Sequence, residues 1–172
     1  MTPDTLITYY LEMTHPGQFQ PAYVDNAPIT IERLVSPDVA LYRSLYDTVG
    51  ETYGWRDRRL MSDDDLREAI CAPNIRVYVL RVAEVTAGYF ELGFYADHVQ
   101  IEYIGVFPTF HGSGYGKHLL SAAIAEAWAE GAPKLCVHTC NLDSDSALPN
   151  YLKRGFVIVE TTEVPMPARY KS

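Results

Sequence analysis

Short runs of apolar residues, many of them β-branched or aromatic, recur along the chain between polar turns. Such runs are typical of β-strands, in which alternate side chains point to opposite faces of a sheet. The pattern predicts seven strands, over residues 6–13, 29–34, 75–82, 87–94, 99–107, 135–140 and 156–161. Residues 15–28 are rich in proline and predict a loop, whereas residues 163–172 are broken by proline and predict at most one more short strand.

Apolar residues at helical spacing predict four helices, over residues 37–50, 63–71, about 114–130 and 147–154. Ser36 is the expected N-cap of the first helix, with proline at the first helical position, and Ser62 is the expected N-cap of the second. Gly131 and Gly155 follow the third and fourth helices, where glycine commonly ends a helix. The strand–helix–strand order over residues 99–140 predicts a right-handed parallel crossover.

Length and composition narrow the class of protein. At 172 residues the chain is expected to fold as one domain, and its three cysteines, which cannot all pair, fit reduced thiols in the cytoplasm. The sequence has no apolar run of about 18 residues and no signal-peptide pattern, so no membrane partner is expected. The net charge of −8 argues against a nucleic-acid partner. It mildly favours a cationic substrate, although acidity by itself also keeps a protein soluble.

Three alternating glycines, Gly112, Gly114 and Gly116, lie between the strand predicted at residues 99–107 and the following helix. Glycine lets the backbone bend sharply and approach a ligand closely, and a helix N-terminus presents unpaired N–H groups to anions. The stretch therefore predicts a seat for a pyrophosphate, with a glycine-rich turn that binds no ligand as the alternative. The residues that complete a P-loop signature are absent, and the even glycine spacing disagrees with a Rossmann fingerprint.

The stretch His111-Gly112-Ser113-Gly114-Tyr115-Gly116 resembles the acyl-CoA-binding motif of the GNAT superfamily of N-acyltransferases, Gln/Arg-x-x-Gly-x-Gly/Ala. The downstream block Ala147-Leu148-x-x-Tyr151-x-x-x-Gly155-Phe156, which follows a strand and Asn141, is also similar to that family. The resemblance covers residues 87–160 and departs from the motif at His111. It implies an α/β fold of three layers, with a central mixed, twisted sheet of about seven strands flanked by about four helices. It also implies one domain, with residues 87–160 as the CoA-binding core and residues 1–28 as an N-terminal extension.

The resemblance further implies which residues bind the acyl-CoA. Backbone N–H groups at Ile104, Gly105 and Val106 would hold the pantetheine arm and the thioester carbonyl, where this strand splays from the next parallel one. Gly105 permits that splay. The pyrophosphate would lie against the loop and the first helical turn, formed by His111, Gly112, Ser113, Gly114, Tyr115, Gly116 and Lys117, and Asn141 is a further expected contact. A neutral imidazole at His111 brings less charge than arginine, so binding would depend more on backbone N–H groups and Lys117.

Aminolysis of a thioester needs a base for the ammonium proton, donors for the carbonyl oxygen and an acid for the departing thiolate. Tyr151 lies where the family's leaving-group tyrosine falls and is the expected acid, with a packing role as the alternative. Glu102, on the central strand, is the expected base. Glu91 and His138 are alternative bases, and each could instead be a structural residue.

The chain is therefore expected to be an N-acetyltransferase that moves an acetyl group from acetyl-CoA directly to a primary amine of a small molecule or peptide. A non-catalytic acyl-CoA-binding or sensing module is the alternative. Residues 53–58 are expected to form the amine pocket, with Trp55 as a wall, Asp57 for a cation and Arg56 or Arg58 for a carboxylate, or to be a salt-bridged surface loop. No metal is expected, because Cys136 and Cys140 would lie about 13 Å apart along an extended strand, too far to bind one zinc ion. The expected partners are acetyl-CoA and the amine, and the resemblance also allows a homodimer.

Overall fold

A computed structural model describes residues 1–25 and 27–171, so Asn26, in the predicted loop, and Ser172, in the predicted tail, lie outside the described residues. The seven predicted strands form one mixed sheet in the order β2-β3-β4-β5-β6-β1-β7. The strands are β1 Thr5–Met13, β2 Ile29–Leu34, β3 Ile75–Val82, β4 Val85–Phe94, β5 Val99–Val106, β6 Leu135–Cys140 and β7 Val157–Pro165. The helices are α1 Val39–Gly50, α2 Asp63–Ile70, α3 Tyr115–Ala129 and α4 Ala147–Lys153.

Two apolar clusters fill the two faces of this sheet. Helices α3 and α4 cover one cluster, which includes Tyr78 and Leu80 of β3. Helices α1 and α2 cover the other, which includes Val77 and Val79 of the same strand. Neighbouring residues of β3 thus point into different clusters, as the period of a strand requires. The three-layer α/β fold expected from the sequence is confirmed.

The sheet is split between β5 and β6. These strands are parallel, as predicted, but they pair only at Val99 with Leu135 and at Gln100 with Cys136. Farther along, residues 101 and 103–106 remain paired to β4, and residues 137–140 remain paired to β1. The expected splay is therefore present, and it leaves backbone groups on the two facing edges without a strand partner.

Gly105 has a different role from the expected one. A Cβ atom at this position would collide with the side chain of Val49, so the glycine allows α1 to pack directly on β5. The splay itself follows from the partners of the two strands, because β4 and β1 hold them on diverging paths.

The N-terminal residues are an integral part of the sheet, although they lie outside the region of resemblance. Strand β1 lies between β6 and β7, and its residues Leu11 and Met13 are buried in the core. The segment after β1 runs across α3, where the backbone N–H and C=O of Ala22 both bond to the Ser121 hydroxyl, at 2.9 and 3.1 Å. This segment also lies close to Gly155, whose φ is 111° and whose Cβ would collide with the Gln18 carbonyl.

One predicted helix cap is wrong. Asp38 caps α1, with its carboxylate accepting the Leu41 N–H at 3.1 Å, whereas Ser36 lies in a turn with a φ of 51°. Aspartate and serine are equally good N-caps, so residue type alone could not choose between them. The predicted cap of α2 is confirmed, since the Ser62 hydroxyl accepts the Asp65 N–H at 3.1 Å.

Two strands extend beyond their predicted ends. The β3–β4 hairpin turns at Ala83 and Glu84, whose φ angles of 50° and 68° suit a two-residue turn. Strand β4 therefore begins at Val85, two residues earlier than predicted. Strand β7 continues to Pro165 because β1 pairs with it along its length.

The contact between α3 and the N-terminal segment makes stability depend on pH. His118 accepts the Val24 N–H at Nδ1, at 3.1 Å, and Nδ1 can accept only while it carries no proton. Burial lowers the pKa of His118 below its ordinary value of 6.5, so the unfolded chain binds this proton more readily. The contribution of His118 to the free energy of unfolding is therefore complete above about pH 6.5 and is lost as the pH falls below that value.

We expect His118→Gln to lose less thermal stability on acidification than the wild type. The glutamine amide oxygen can accept the same N–H and does not titrate. Melting temperatures of both proteins at about pH 7.5 and about pH 5.5 test this expectation. The other titrating groups are the same in both proteins, so the difference between their two falls in melting temperature measures the contribution of His118. Equal falls in melting temperature would contradict the expectation.

Candidate active site

A cavity of about 810 Å³ occupies the split between β5 and β6. Its walls are the glycine loop with the start of α3, the loop between α1 and α2, and the chain from the end of β6 through α4. Every predicted site residue lines it except Ser113 and Asn141. Its volume lies in the range of ligand-binding clefts, roughly 300–1,000 Å³.

The N-terminus of α3 opens into this cavity without a capping side chain. Gly112 and Gly114, with φ angles of 87° and 83°, bend the chain through conformations that favour glycine. No residue among 1–25 and 27–171 accepts a hydrogen bond from the backbone N–H groups of residues 112–117. A Cβ atom on Gly116 would meet nothing within 4 Å, so this face of the helix is accessible. Such an arrangement suits an anion, and the binding of one here stays a prediction.

Besides Arg56 on the opposite wall, three cationic side chains line the same cavity, namely Lys117, Lys153 and Arg154. Within the described residues none of these three forms an ion pair. The sequence indicated Lys117, whereas Lys153 and Arg154 lie in the helix predicted over residues 147–154 and carried no sign of this position. The fold brings the end of α4 beside α3, where the Asn150 side-chain amide donates to the Gly116 carbonyl at 3.3 Å.

His111, the residue that departs from the motif, holds the glycine loop against β5. Its Nε2 lies 2.8 Å from the carbonyl oxygen of Val106. A carbonyl can only accept, so Nε2 carries the proton and donates it. The imidazole thus fixes the loop to the end of the strand that forms one side of the split.

Asn141 does not reach the cavity. Its side-chain oxygen accepts the Ile7 N–H at 3.0 Å, and its side-chain amide donates to the Thr5 carbonyl at 2.9 Å. Both groups therefore hold β1 against the end of β6. The expectation of a contact between Asn141 and acyl-CoA is corrected, because the sequence did not indicate that β1 lies beside this position.

Glu102 lies at a β-bulge in β5. Glu91 pairs with Tyr103 and Leu92 pairs with Ile101, so Glu102 is an extra residue with no partner on β4. The bulge reverses the alternation of side chains. Ile101 and Ile104 point towards α3, whereas Tyr103 packs in the cluster under α1 and α2. Glu102 thereby lies at the narrow end of the split and lines the cavity.

The Glu102 carboxylate is held by a neighbouring tyrosine. The Tyr95 hydroxyl donates to its Oε1 at 2.6 Å. This hydrogen bond to the carboxylate raises the pKa of Tyr95 to about 12, with burial as a further cause. One carboxylate oxygen is therefore occupied, while the residue as a whole lines the cavity.

Glu91, the alternative base, is a buried structural residue. It has no exposed surface, and its two oxygens accept from the Tyr42 hydroxyl at 2.5 Å and from Arg58 at 2.7 Å. Burial raises the pKa of the Glu91 carboxyl, and the Arg58 guanidinium opposes that rise. Glu91 does not line the cavity, whereas the third candidate, His138, does.

Tyr151 lies in α4 and is 7% exposed. Its ring packs edge-on against Phe156, with ring centroids 6.0 Å apart, and its side chain lines the cavity. The described part of the chain offers its hydroxyl no hydrogen-bond partner. Burial raises the pKa of Tyr151 well above 10, so the hydroxyl keeps its proton at all ordinary pH values.

The loop between α1 and α2 forms the wall opposite α4. Trp55 lines the cavity, and its Nε1 donates to Asp143 at 3.3 Å, which joins the two sides of the split. Asp57 also lines the cavity and pairs with Arg169 at 3.3 Å. Arg58 points away from the cavity into its pair with Glu91. Asp143 was missed by the sequence analysis, since no local pattern distinguishes it from its polar neighbours.

The fold and this cavity define the chain as an α/β protein of the acyltransferase class. Residues 42–156 match the model of the acetyltransferase (GNAT) family, so the chain belongs to that family. No curated protein matches the sequence. Among the described residues no cluster of His, Cys, Asp and Glu could hold a metal ion, and no helix of the described chain is long and apolar enough to cross a membrane.

Several solved structures are similar. An IAA acetyltransferase from Bacillus cereus is 28% identical, with a TM-score of 0.59 over 77% of this chain and 79% of that one. An aminoglycoside acetyltransferase from an uncultured soil metagenomic sample is 20% identical, with a TM-score of 0.59 over 73% and 86%. A GCN5-related N-acetyltransferase from Kribbella flavida is 13% identical, with a TM-score of 0.66, and the chain spans 94% of its own length but 58% of that protein.

Proposed function

We propose that the protein transfers an acetyl group from acetyl-CoA to a primary amine by direct attack. The observation that supports this most strongly is that one cavity contains both an uncapped helix N-terminus and a split parallel strand pair. The first suits the pyrophosphate of CoA, and the second offers unpaired backbone groups to an extended arm that ends in a thioester.

Acetyl-CoA would bind along this path. The N–H groups of residues 112–117 would receive the pyrophosphate, with Lys117, Lys153 and Arg154 supplying positive charge. The pantetheine arm would follow the free edge of β5 at Ile104, Gly105 and Val106. A backbone N–H there would donate to the thioester oxygen and stabilise the negative charge that develops on it during attack.

The chemistry would proceed with Glu102 as base and Tyr151 as acid. Glu102 takes a proton from the ammonium group of the acceptor, and the neutral nitrogen attacks the carbonyl carbon. The new C–N bond forms as the C–S bond breaks, and the nitrogen loses its second proton to solvent. Tyr151 donates its O–H to the departing thiolate and regains a proton from water. Because burial raises its pKa, Tyr151 stays protonated until the thiolate forms, and it passes on its proton as the C–S bond breaks.

Binding and turnover with the wild type and with Glu102→Gln test this function. Calorimetry should detect binding of acetyl-CoA, and the release of free thiol should depend on an added amine. The glutamine can still accept from Tyr95 but cannot take a proton. We therefore expect kcat to fall by about 100-fold near neutral pH and the deficit to shrink at higher pH, where more of the amine is already neutral.

The other outcomes identify the competing functions. Binding of acetyl-CoA without thiol release from any amine would indicate a non-catalytic acyl-CoA-binding module. Tight binding of NAD or ATP without binding of acetyl-CoA would contradict the proposal altogether. If Glu102→Gln has the wild-type kcat at all pH values, the acetyltransferase function stands but Glu102 is not its base.

A further inference from the structure

A second cavity, of about 410 Å³, adjoins the first at the narrow end of the split. Glu102, Val137 and His138 line both cavities, so the second one begins where the acceptor amine would react. The strand register defines its floor. His138, Tyr10 and Glu160 are directly opposite one another on β6, β1 and β7, and therefore share one face of the sheet.

This second cavity is suited to a positive charge. Glu12, Glu102 and Glu160 line it, and none of the described lysines and arginines does. Glu12 is neutralised from outside by Lys134 at 2.9 Å, whereas Glu102 and Glu160 have no ion-pair partner among the described residues. His98, also in the lining, lies 2.7 Å from Asp97.

Aromatic rings lie beside these carboxylates. Tyr10 is 37% exposed and Tyr95 is 43% exposed, and both line the second cavity. The faces of such rings attract cations, with an energy that adds to the attraction of a nearby carboxylate. The ring of Tyr10 contacts His138, with centroids 5.7 Å apart, and so lies between the reaction centre and Glu160.

We propose that this cavity binds the distal cationic end of a long diamine or polyamine, one amine of which is acetylated beside Glu102. This inference rests on the proposed function and adds the substrate class to it. The second ammonium group lies against Glu160 and the Tyr10 ring. Three strand spacings separate β5 from β7, at least about 14 Å in all because β5 and β6 diverge at the split, so the acceptor has a long, flexible chain between its two charges.

The test compares 1,8-diaminooctane with n-octylamine, which has the same apolar chain and only one charge. Calorimetry on the full chain should give about tenfold tighter binding of the diamine to the wild type. Glu160→Gln should reduce this preference to within about twofold. Glu163→Gln is the matched control, because Glu163 lies on the same strand, pairs with Ile7 and does not line the cavity. It should keep the full preference.

Equal affinities of the wild type for the two amines would overturn the inference. It would also be overturned if Glu160→Gln and Glu163→Gln lost the preference for the diamine to the same extent. Measurements of thiol release test the proposed function independently of cation binding in the second cavity. If n-octylamine is acetylated with the same KM as the diamine, the acetyltransferase function holds and the second cavity is not a cation site. If the diamine is preferred through Glu160 but neither amine is acetylated, the cavity is a cation site and the proposed function is wrong.

Discussion

Replacement of Tyr151 by phenylalanine should lower kcat by about 100-fold, while the dissociation constant of acetyl-CoA changes by less than about twofold. The hydroxyl has no hydrogen-bond partner in the described chain, and the ring packs against Phe156, so only one oxygen atom is lost from a site that otherwise keeps its shape. In the proposed mechanism, the lost group is the donor to the departing thiolate. Thiol release measures kcat, and calorimetry with acetyl-CoA measures the affinity.

The measurement also separates catalysis from packing. A packing role predicts a fall in melting temperature with little change in kcat, whereas loss of an acid predicts the reverse. Tyr23→Phe is a suitable control, since Tyr23 lies on the N-terminal segment and does not line the cavity. With acyl donors that have better leaving groups, Tyr151→Phe should lower kcat less, because their thiolates depart without needing a proton from an acid. An unchanged kcat would remove Tyr151 from the mechanism.

A carboxylate at position 116 should abolish useful binding of CoA. Gly116 is in the first turn of α3, and a Cβ there would meet nothing within 4 Å. Gly116→Asp should therefore fold normally, with an unchanged or higher melting temperature, because an acidic residue suits a helix N-terminus better than glycine does. The same carboxylate would repel the pyrophosphate by about 4 kcal/mol at 4 Å in a partly shielded site, so we expect the dissociation constant of CoA to rise by about 100-fold or more.

Asparagine at the same position distinguishes charge from bulk. Gly116→Asn has nearly the same shape as the aspartate variant, and its smaller loss of affinity, about tenfold, would measure steric exclusion alone. Calorimetry with CoA at low and high salt completes the test, because repulsion between charges weakens as salt increases. Normal CoA affinity in a correctly folded Gly116→Asp protein would show that the ligand does not approach the start of α3.

The local elements were largely predictable because each rests on short-range chemistry. Residues 29–34 alternate between apolar and polar, which records the side chains that point to each face, and residues 75–82 contain an apolar run typical of a strand buried on both faces. The glycine loop was predictable for a similar reason, since a left-handed conformation at Gly112 and Gly114 selects glycine directly. Errors occurred where two residues serve equally well, as with Ser36 and Asp38 at the start of α1.

Residue roles were harder to predict where a partner comes from a distant part of the chain. Asn141 lies in a polar loop, and only the insertion of β1 beside β6 turns its amide into a structural bridge. Glu91 and Glu102 both lie on neighbouring strands and look equivalent in sequence. Burial against Arg58 and Tyr42 removes Glu91 from the cavity, and a bulge brings Glu102 to it.

By itself, the sequence determined the strands, the helices, the parallel crossover and the glycine-rich start of α3, because backbone preferences and apolar periodicity act over a few residues. The tertiary structure alone decided that β1 lies between β6 and β7, that Lys153 and Arg154 line the same cavity as the start of α3, and that Tyr10 and Glu160 line a cavity with Glu102. Each of these depends on contacts between segments far apart in the chain. A single sequence carries no local signal for such contacts, since many partners would satisfy the same strand edge or apolar face.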